Sequence, residues 1–473
     1  MTAISPTDAF LDQLAGFCVE ARTFDIDDHC RESARKIVLD TFGVVLGALE
    51  HRASRRARQF AGRFPVPGGA RLWGTGERVN AEHAALLNGA PLRAYDFNDF
   101  YFGTKGGAHP SDIVTGVMAV AEAEGAGGLA VIRALCVGYE LIVAMSDCLD
   151  PEREGWDYPC ITSLGAVAAV ADLLALDRAQ LRHAFSIAVN AHYPSNEVES
   201  SEPDAHGELT MWKRFNGSDG VRQSVQACYL ALCGVEGVVR PFEGRHGFFA
   251  KLGVTREEAG EASSRLARIR RFEGIGAGSF KRWPVGSRGQ SAIQSALRAR
   301  AALLEGGRTP DVIAHVKVHA DPGVYEHLHA IRTDPFQPRT REAADHSLAY
   351  IVAAALTNGE IGPHSFEAPA RDAPALRALL SGRVEILRAA RPSPSNLLAE
   401  VILEDGDGRL YRGGSEPAPG TAGAAMPIGT LLQKFRENVG AQRSAGADTL
   451  AAAIMELDAC RDVGALIDAT MIR

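Results

Sequence analysis

The chain has 473 residues, 46% of them hydrophobic and 23% charged, which excludes a disordered or collagen-like protein and allows more than one buried core. Its 50 Lys and Arg against 58 Asp and Glu leave a net charge of −8, the wrong sign for a general nucleic-acid binder or for adhesion to anionic membranes. The eight cysteines contain no C-x-x-C spacing, so no metal cluster is expected and they read as reduced thiols of a cytoplasmic protein.

In chain order, Ser5-Pro6 reads as a helix start running toward Glu20. Residues 1–8 lack a basic stretch followed by an apolar core, and no run of about 18 apolar residues is free of charge, so neither a secretory signal nor a membrane span is expected. Val38, Phe42, Val45 and Leu49 lie 4, 3 and 4 apart, one stripe of a helix over 36–50. Segments 112–124, 129–145 and 164–176 are rich in Ala and Val on several sides, which predicts buried helices in a multi-helix assembly. At Gly274–Gly278 the character changes, and the glycines read as a flexible junction. Beyond it, Val312, Ala314, Val316 and Val318 alternate with His315, Lys317 and His319, the pattern of a half-buried strand. Residues 383–387 and 397–404 are strand-like, with a hairpin turn at Asp405–Gly408, and 345–358 is helical. After Pro417–Gly423, helix returns at 428–438 and 449–460. The expected fold is mainly α. A large helical domain is built from 1–274 and 414–473, and a smaller α/β unit, 275–413, is inserted before the C-terminal helices.

One connection stands out. Residues 95–112 crowd acids, aromatics, glycines and His109 into a long link between helices, where function concentrates. His109 precedes Pro110-Ser111-Asp112, a helix start whose amides disfavour an imidazolium and attract a carboxylate. Two basic clusters follow, Lys213 and Arg214 beside Trp212, then Lys281, Arg282 and Arg288 beside Trp283. Cations next to tryptophan in Gly/Pro turns suit an anion pocket with apolar walls, and Arg grips carboxylates bidentately. Gly274–Lys281 lacks the Gly-Lys-Ser/Thr of a phosphate loop. His315, His319, His327 and His329 read as a solvated strand face and a following helix rather than metal ligands. The histidines at 29, 51, 83, 183 and 192 read as surface or satisfied core positions.

These residues, in order, resemble the MmgE/PrpD family of polycarboxylate dehydratases, decarboxylases and epimerases. The likeness runs nearly end to end: Asp40–Gly47, Asn88–Ala90, Asp96–Asp99, His109–Asp112, Gly155–Asp157, Gly207–Lys213, Phe242–Phe249, Lys281–Pro284, Gly289–Ile293, Pro338–Tyr350 and Lys434-Phe435. The resemblance implies a homodimer, a helical domain under an α/β lid, a site between them, and neither metal nor organic cofactor. It implies that Asp96, His109 and Lys213 carry the chemistry. Decarboxylase-like members differ at Asn98 and Phe100 and carry a histidine near Trp156 or Asp157. Many members have Pro-Ala-Glu-x-His where this chain has Pro284-Val-Gly-Ser-Arg288, so an acid has become Gly286 and a histidine has become Arg288. An arginine stays protonated and clamps anions rather than serving as a base.

The function expected is a cofactor-independent lyase, a dehydratase of a hydroxy di- or tricarboxylic acid. His109 moves the proton with Asp96 as partner. Lys213, Lys281, Arg288 and the lid residue Tyr350 hold carboxylates and stabilise an enolate. Decarboxylation or epimerisation of a similar polycarboxylate is the alternative within enzymes. A non-catalytic metabolite-binding protein is the alternative of another class.

Overall fold

The computed structural model describes residues 7–198, 209–440 and 444–471. The Ser5-Pro6 start lies outside them. The first described helix, Ala9–Ala21, is capped by Asp8, whose side chain accepts from the Leu11 amide at 3.0 Å. Helices dominate up to residue 268 and return after 428. Of the stripe predicted over 36–50, Val38, Phe42 and Val45 lie in the helix Asp28–Gly47 and Leu49 lies in the turn after it. The three Ala/Val-rich segments are Asp112–Ala123, Gly128–Cys148 and Pro159–Leu173, each buried along most of its length. Helices apolar on all sides need neighbours on all sides, and glycine lets them approach. A Cβ at Gly165 would stand 2.6 Å from the Gly138 carbonyl oxygen of the adjacent helix. Gly128–Cys148 is long and apolar enough to cross a membrane, although it carries Arg133, Glu140 and Asp147; here it is a core helix, largely buried in the protein. All eight cysteines are free thiols.

The buried apolar side chains form two clusters. One runs from Phe10 to Ile275 and takes in Met426 to Ile467; the other runs from Val285 to Tyr411. The returning helix Ile428–Val439 enters the first cluster against Asp28–Gly47. There Lys434 pairs with Asp40 at 2.7 Å, and Phe435 presses on Gly43 so closely that a Cβ would meet its ring at 2.9 Å.

The second cluster lies under a four-stranded sheet ordered 384–388, 313–320, 399–405, 410–412. The first pair is parallel, with Val316 beside Val384; the others are antiparallel, with Val316 beside Leu403 and Leu403 beside Tyr411. The alternation predicted for the first strand holds only from Val316 onward. Ile313, Val316, Val318 and Ala320 are buried, whereas Val312 and Ala314 are half-buried, because the register shifts between Ile313 and His315. Residues 345–347 precede their helix rather than join it. Ser347 caps Leu348–Asn358 by accepting from the Tyr350 amide.

The junction is not the loose glycine link that its composition suggests. The Gly274 amide donates to Glu140 Oε2 at 2.6 Å, and a Cβ there would strike the Glu140 backbone at 2.7 Å. Close packing is what its glycines permit.

Candidate functional site

The link after helix Ala81–Ala94 is tied down residue by residue. Asp96 has φ 47°, a left-handed conformation that a non-glycine residue adopts at a cost repaid by its contacts. Those contacts are Arg93 at 3.0 Å and Lys281 at 2.9 Å, all three side chains being buried. Asn98 accepts from Arg93 at 2.5 Å and donates to Ser111 Oγ at 2.9 Å. Asp99 accepts from the Ser111 amide and from the Tyr139 hydroxyl at 2.8 Å. Phe100 pairs with Ser279 of the junction through two backbone hydrogen bonds. Lys434 donates to the Phe97 carbonyl at 2.9 Å. The chain then makes a hairpin, Tyr101–Phe102 against Gly107–Ala108, that delivers His109.

His109 Nδ1 lies 2.6 Å from the Asp99 carbonyl oxygen. A carbonyl only accepts, so Nδ1 carries the hydrogen and Nε2 is left as the acceptor nitrogen. Burial, then the charges of Arg93 and Lys281, hold its pKa well below the usual histidine range. The imidazole is therefore neutral, as expected from sequence, but burial and two cations are the main causes. The ring also packs edge-on against Tyr158, whose hydroxyl donates to Asp112 at 2.8 Å. Burial raises the Asp112 pKa to about 7, against the opposing charge of Arg93.

Lys213 comes from a 3₁₀ turn, Met211–Arg214. It is buried, and that burial lowers its pKa to about 7 even though Asp96 opposes the shift. Arg214, fully buried, reaches instead to Asp345 at 2.9 Å. Burial works to raise the Asp96 pKa, but Lys281 and Arg93 overcome it and leave the carboxylate well below its usual range.

These groups meet in one small pocket of about 70 Å³. Asp96, His109 and Lys213 line it with Arg93, Phe100, Phe102, Asp157 and Tyr158, and so does Glu152. Ser287, Arg288, His327 and His346, from the stretch of chain that holds the second cluster, line it too. The Arg288 guanidinium lies over the Phe102 ring, 4.4 Å from its centroid. The three cations on this wall, Arg93, Lys213 and Arg288, are matched by three acids, Asp96, Glu152 and Asp157, so the lining is not the concentration of cations that the basic clusters suggest.

Four of the six residues singled out from sequence thus share the pocket wall. Lys281 is not on it. Its ammonium lies beneath, donating to the Asp96 carbonyl at 2.8 Å as well as pairing with the Asp96 carboxylate. Tyr350 is a correction: it is fully buried in the second cluster, its hydroxyl donates to the Ser365 carbonyl at 2.7 Å, and it does not reach the pocket. A residue at the third position of an apolar helix faces whatever the helix packs on, and here that is the core. The expected tryptophan walls are absent from the pocket lining; Trp212 is half exposed, and Phe100 and Phe102 supply the apolar surface. Sequence reasoning missed Arg93, His327 and His346. His346 stands inside Pro338–Tyr350, one of the segments that carry the resemblance; His327, expected on a solvated helix, is half-buried at the pocket.

Two family models match the chain in sequence. The MmgE/PrpD N-terminal domain matches residues 12–261, and the MmgE/PrpD C-terminal domain matches residues 283–458. Cis-aconitate decarboxylase of Homo sapiens is 24% identical over 454 residues, covering 92% of this chain and 88% of its own. The 2-methylcitrate dehydratase of Cupriavidus necator is 25% identical over 446 residues, covering 86% and 85%. That of Escherichia coli (strain K12) is 30% identical over 168 residues, 33% of this chain and 35% of its own.

Proposed function

The chain belongs to the MmgE/PrpD family, and on that footing we propose that it is a cofactor-independent lyase that dehydrates a hydroxy di- or tricarboxylic acid. The observation that carries this reading is His109, neutral, with Nδ1 engaged by a backbone carbonyl and Nε2 left to accept a proton, in one pocket with Lys213 and Arg288.

Removing a proton from a carbon beside a carboxylate needs a base and a cation for the charge that develops. His109 Nε2 is the base. Lys213 and Arg288 hold the carboxylates and stabilise the enolate. Asp96, fixed by Arg93 and Lys281, sets the negative charge that stabilises the imidazolium once His109 gains the proton. Lys281 thereby acts through Asp96 and not on the substrate. Residues 275–413 serve as a lid, with the substrate held at its seam with the helical domain of 1–274 and 414–473, and the working unit is a homodimer.

Decarboxylation is the second reading, favoured by the likeness to a cis-aconitate decarboxylase over 92% of the chain. Asn98 weighs against it. The resemblance implies an acid there in decarboxylase-like members, whereas this amide bonds Arg93 and Ser111 and has no charge to offer. A panel of hydroxy polycarboxylates and their unsaturated products, incubated in D2O and followed by proton NMR, tests the assignment. Loss or gain of water supports dehydration and loss of CO2 supports decarboxylation. Deuterium exchange alone supports epimerisation. Stoichiometric binding without any of these across the panel overturns the lyase reading.

A further inference from the structure

The pocket contains a second histidine whose setting mirrors that of the first. His346 is 3% exposed and lines the pocket from the side of the second cluster. Its Nδ1 bonds Asp345 Oδ1, and Asp345 is gripped by Arg214 at 2.9 Å and Arg341 at 2.8 Å. As with His109, an oxygen acceptor fixes the Nδ1–H tautomer and leaves Nε2 as the acceptor nitrogen. Nε2 lies 3.7 Å from Asp96 Oδ2. Gly286 makes the room. Its amide donates to the Asp345 carbonyl at 3.0 Å, and a Cβ there would press on both Cδ2 and Nε2 of His346 at 3.2 Å.

We propose that His346, oriented by Asp345 and given space by Gly286, is the second proton carrier of this pocket, working with His109. The proposal rests on the lyase reading. The charged and titratable groups that face His346 are Asp345, Asp96, Lys213 and His327. Burial, reinforced by Lys213, lowers its pKa to about 4, so it is neutral in the empty pocket. A bound polycarboxylate neutralises Lys213 and lets Nε2 take a proton from water.

The step then balances. His109 Nε2 takes the proton from the carbon beside a carboxylate, and the C–H electron pair passes into the enolate. His346 Nε2–H protonates the leaving hydroxyl. The enolate pair then forms the C=C bond as the C–O bond breaks, the C–O electron pair leaves with oxygen, and water departs. The proton gained by His109 returns to solvent, and His346 is recharged when the next anion binds.

The test uses the full chain carrying 13C at histidine Cε1. The probe is propane-1,2,3-tricarboxylate, which has no hydroxyl to lose. The two resonances are assigned from His109→Gln and His346→Gln, and the shift caused by Gly286→Ala identifies that of His346 a second way. The expected result is that both resonances follow one binding curve, with His346 moving to the imidazolium position. Gly286→Ala displaces the His346 resonance in the empty protein and leaves that of His109 in place. Movement of His109 alone overturns the proposal while the lyase reading stands. Movement of neither overturns both.

Discussion

Lys281 holds Asp96 twice, through the carboxylate at 2.9 Å and through the same residue's carbonyl oxygen at 2.8 Å, with both side chains out of solvent. The lysine follows the junction between the two clusters, so it ties the start of the second unit to the strained aspartate of the first. Removing one partner of a buried pair leaves the other charge uncompensated, which costs about 3–5 kcal/mol. Lys281→Met is expected to lower the unfolding free energy by about that amount, measured by urea denaturation. A loss within about 0.5 kcal/mol, the range of ordinary surface changes, would remove this positioning role.

Lys213 sets a pH dependence. Burial lowers its pKa to about 7, so the ammonium that attracts a carboxylate is lost as pH rises above that value. Affinity for a polycarboxylate is expected to fall by up to about tenfold per pH unit on the alkaline side. Lys213→Arg flattens the profile, since guanidinium stays charged. Calorimetric titration with propane-1,2,3-tricarboxylate at pH 6 and pH 8.5 measures it.

His109→Gln keeps a polar side chain of similar reach but supplies no base. Positioned acid–base groups contribute about 10²–10⁴-fold, and deuterium incorporation beside a substrate carboxylate should fall by that much. Incorporation at the unaltered rate would move the proton chemistry elsewhere.

Arg288→Ala is expected to weaken polycarboxylate binding by about 10–100-fold, the range for a charge-assisted hydrogen bond. Arg288→Lys should recover only part of it, because an ammonium makes no bidentate grip and cannot reproduce the guanidinium's contact over the Phe102 ring. Dissociation constants from the same titration decide between them.

Acid stability follows from Asp345. Burial alone would raise its pKa, but Arg214, His346 and Arg341 lower it from 3.8 to about 2. Its folded-state value is depressed, so its stabilisation is complete above the unfolded value and disappears as pH falls from about 4 to 2. The sum involved is on the order of 2 kcal/mol. Asp345→Asn should be less stable than the parent at pH 6 and lose less between pH 4 and pH 2, read from denaturation midpoints.

The helices, the strand segments and the pocket's N-terminal half were legible in the primary structure because their causes are local. Apolar spacing sets a helix face, Gly and Pro mark the turns, and the acids, His109 and glycines of 95–112 are contiguous. Asp96, His109, Lys213 and Arg288 could be named before any coordinates. Their division of labour could not. Lys281 and Arg288 stand in one basic run, yet one pairs with Asp96 and the other lines the pocket against Phe102, since a turn between them points successive side chains in unrelated directions. Tyr350 and His346 lie four residues apart, and the helix start at Leu348 buries the first in the core and leaves the second at the pocket. A charge's sign is written in the sequence. Its pKa, its partner and the side of a wall on which it stands depend on segments hundreds of residues away, and only packing brings those together.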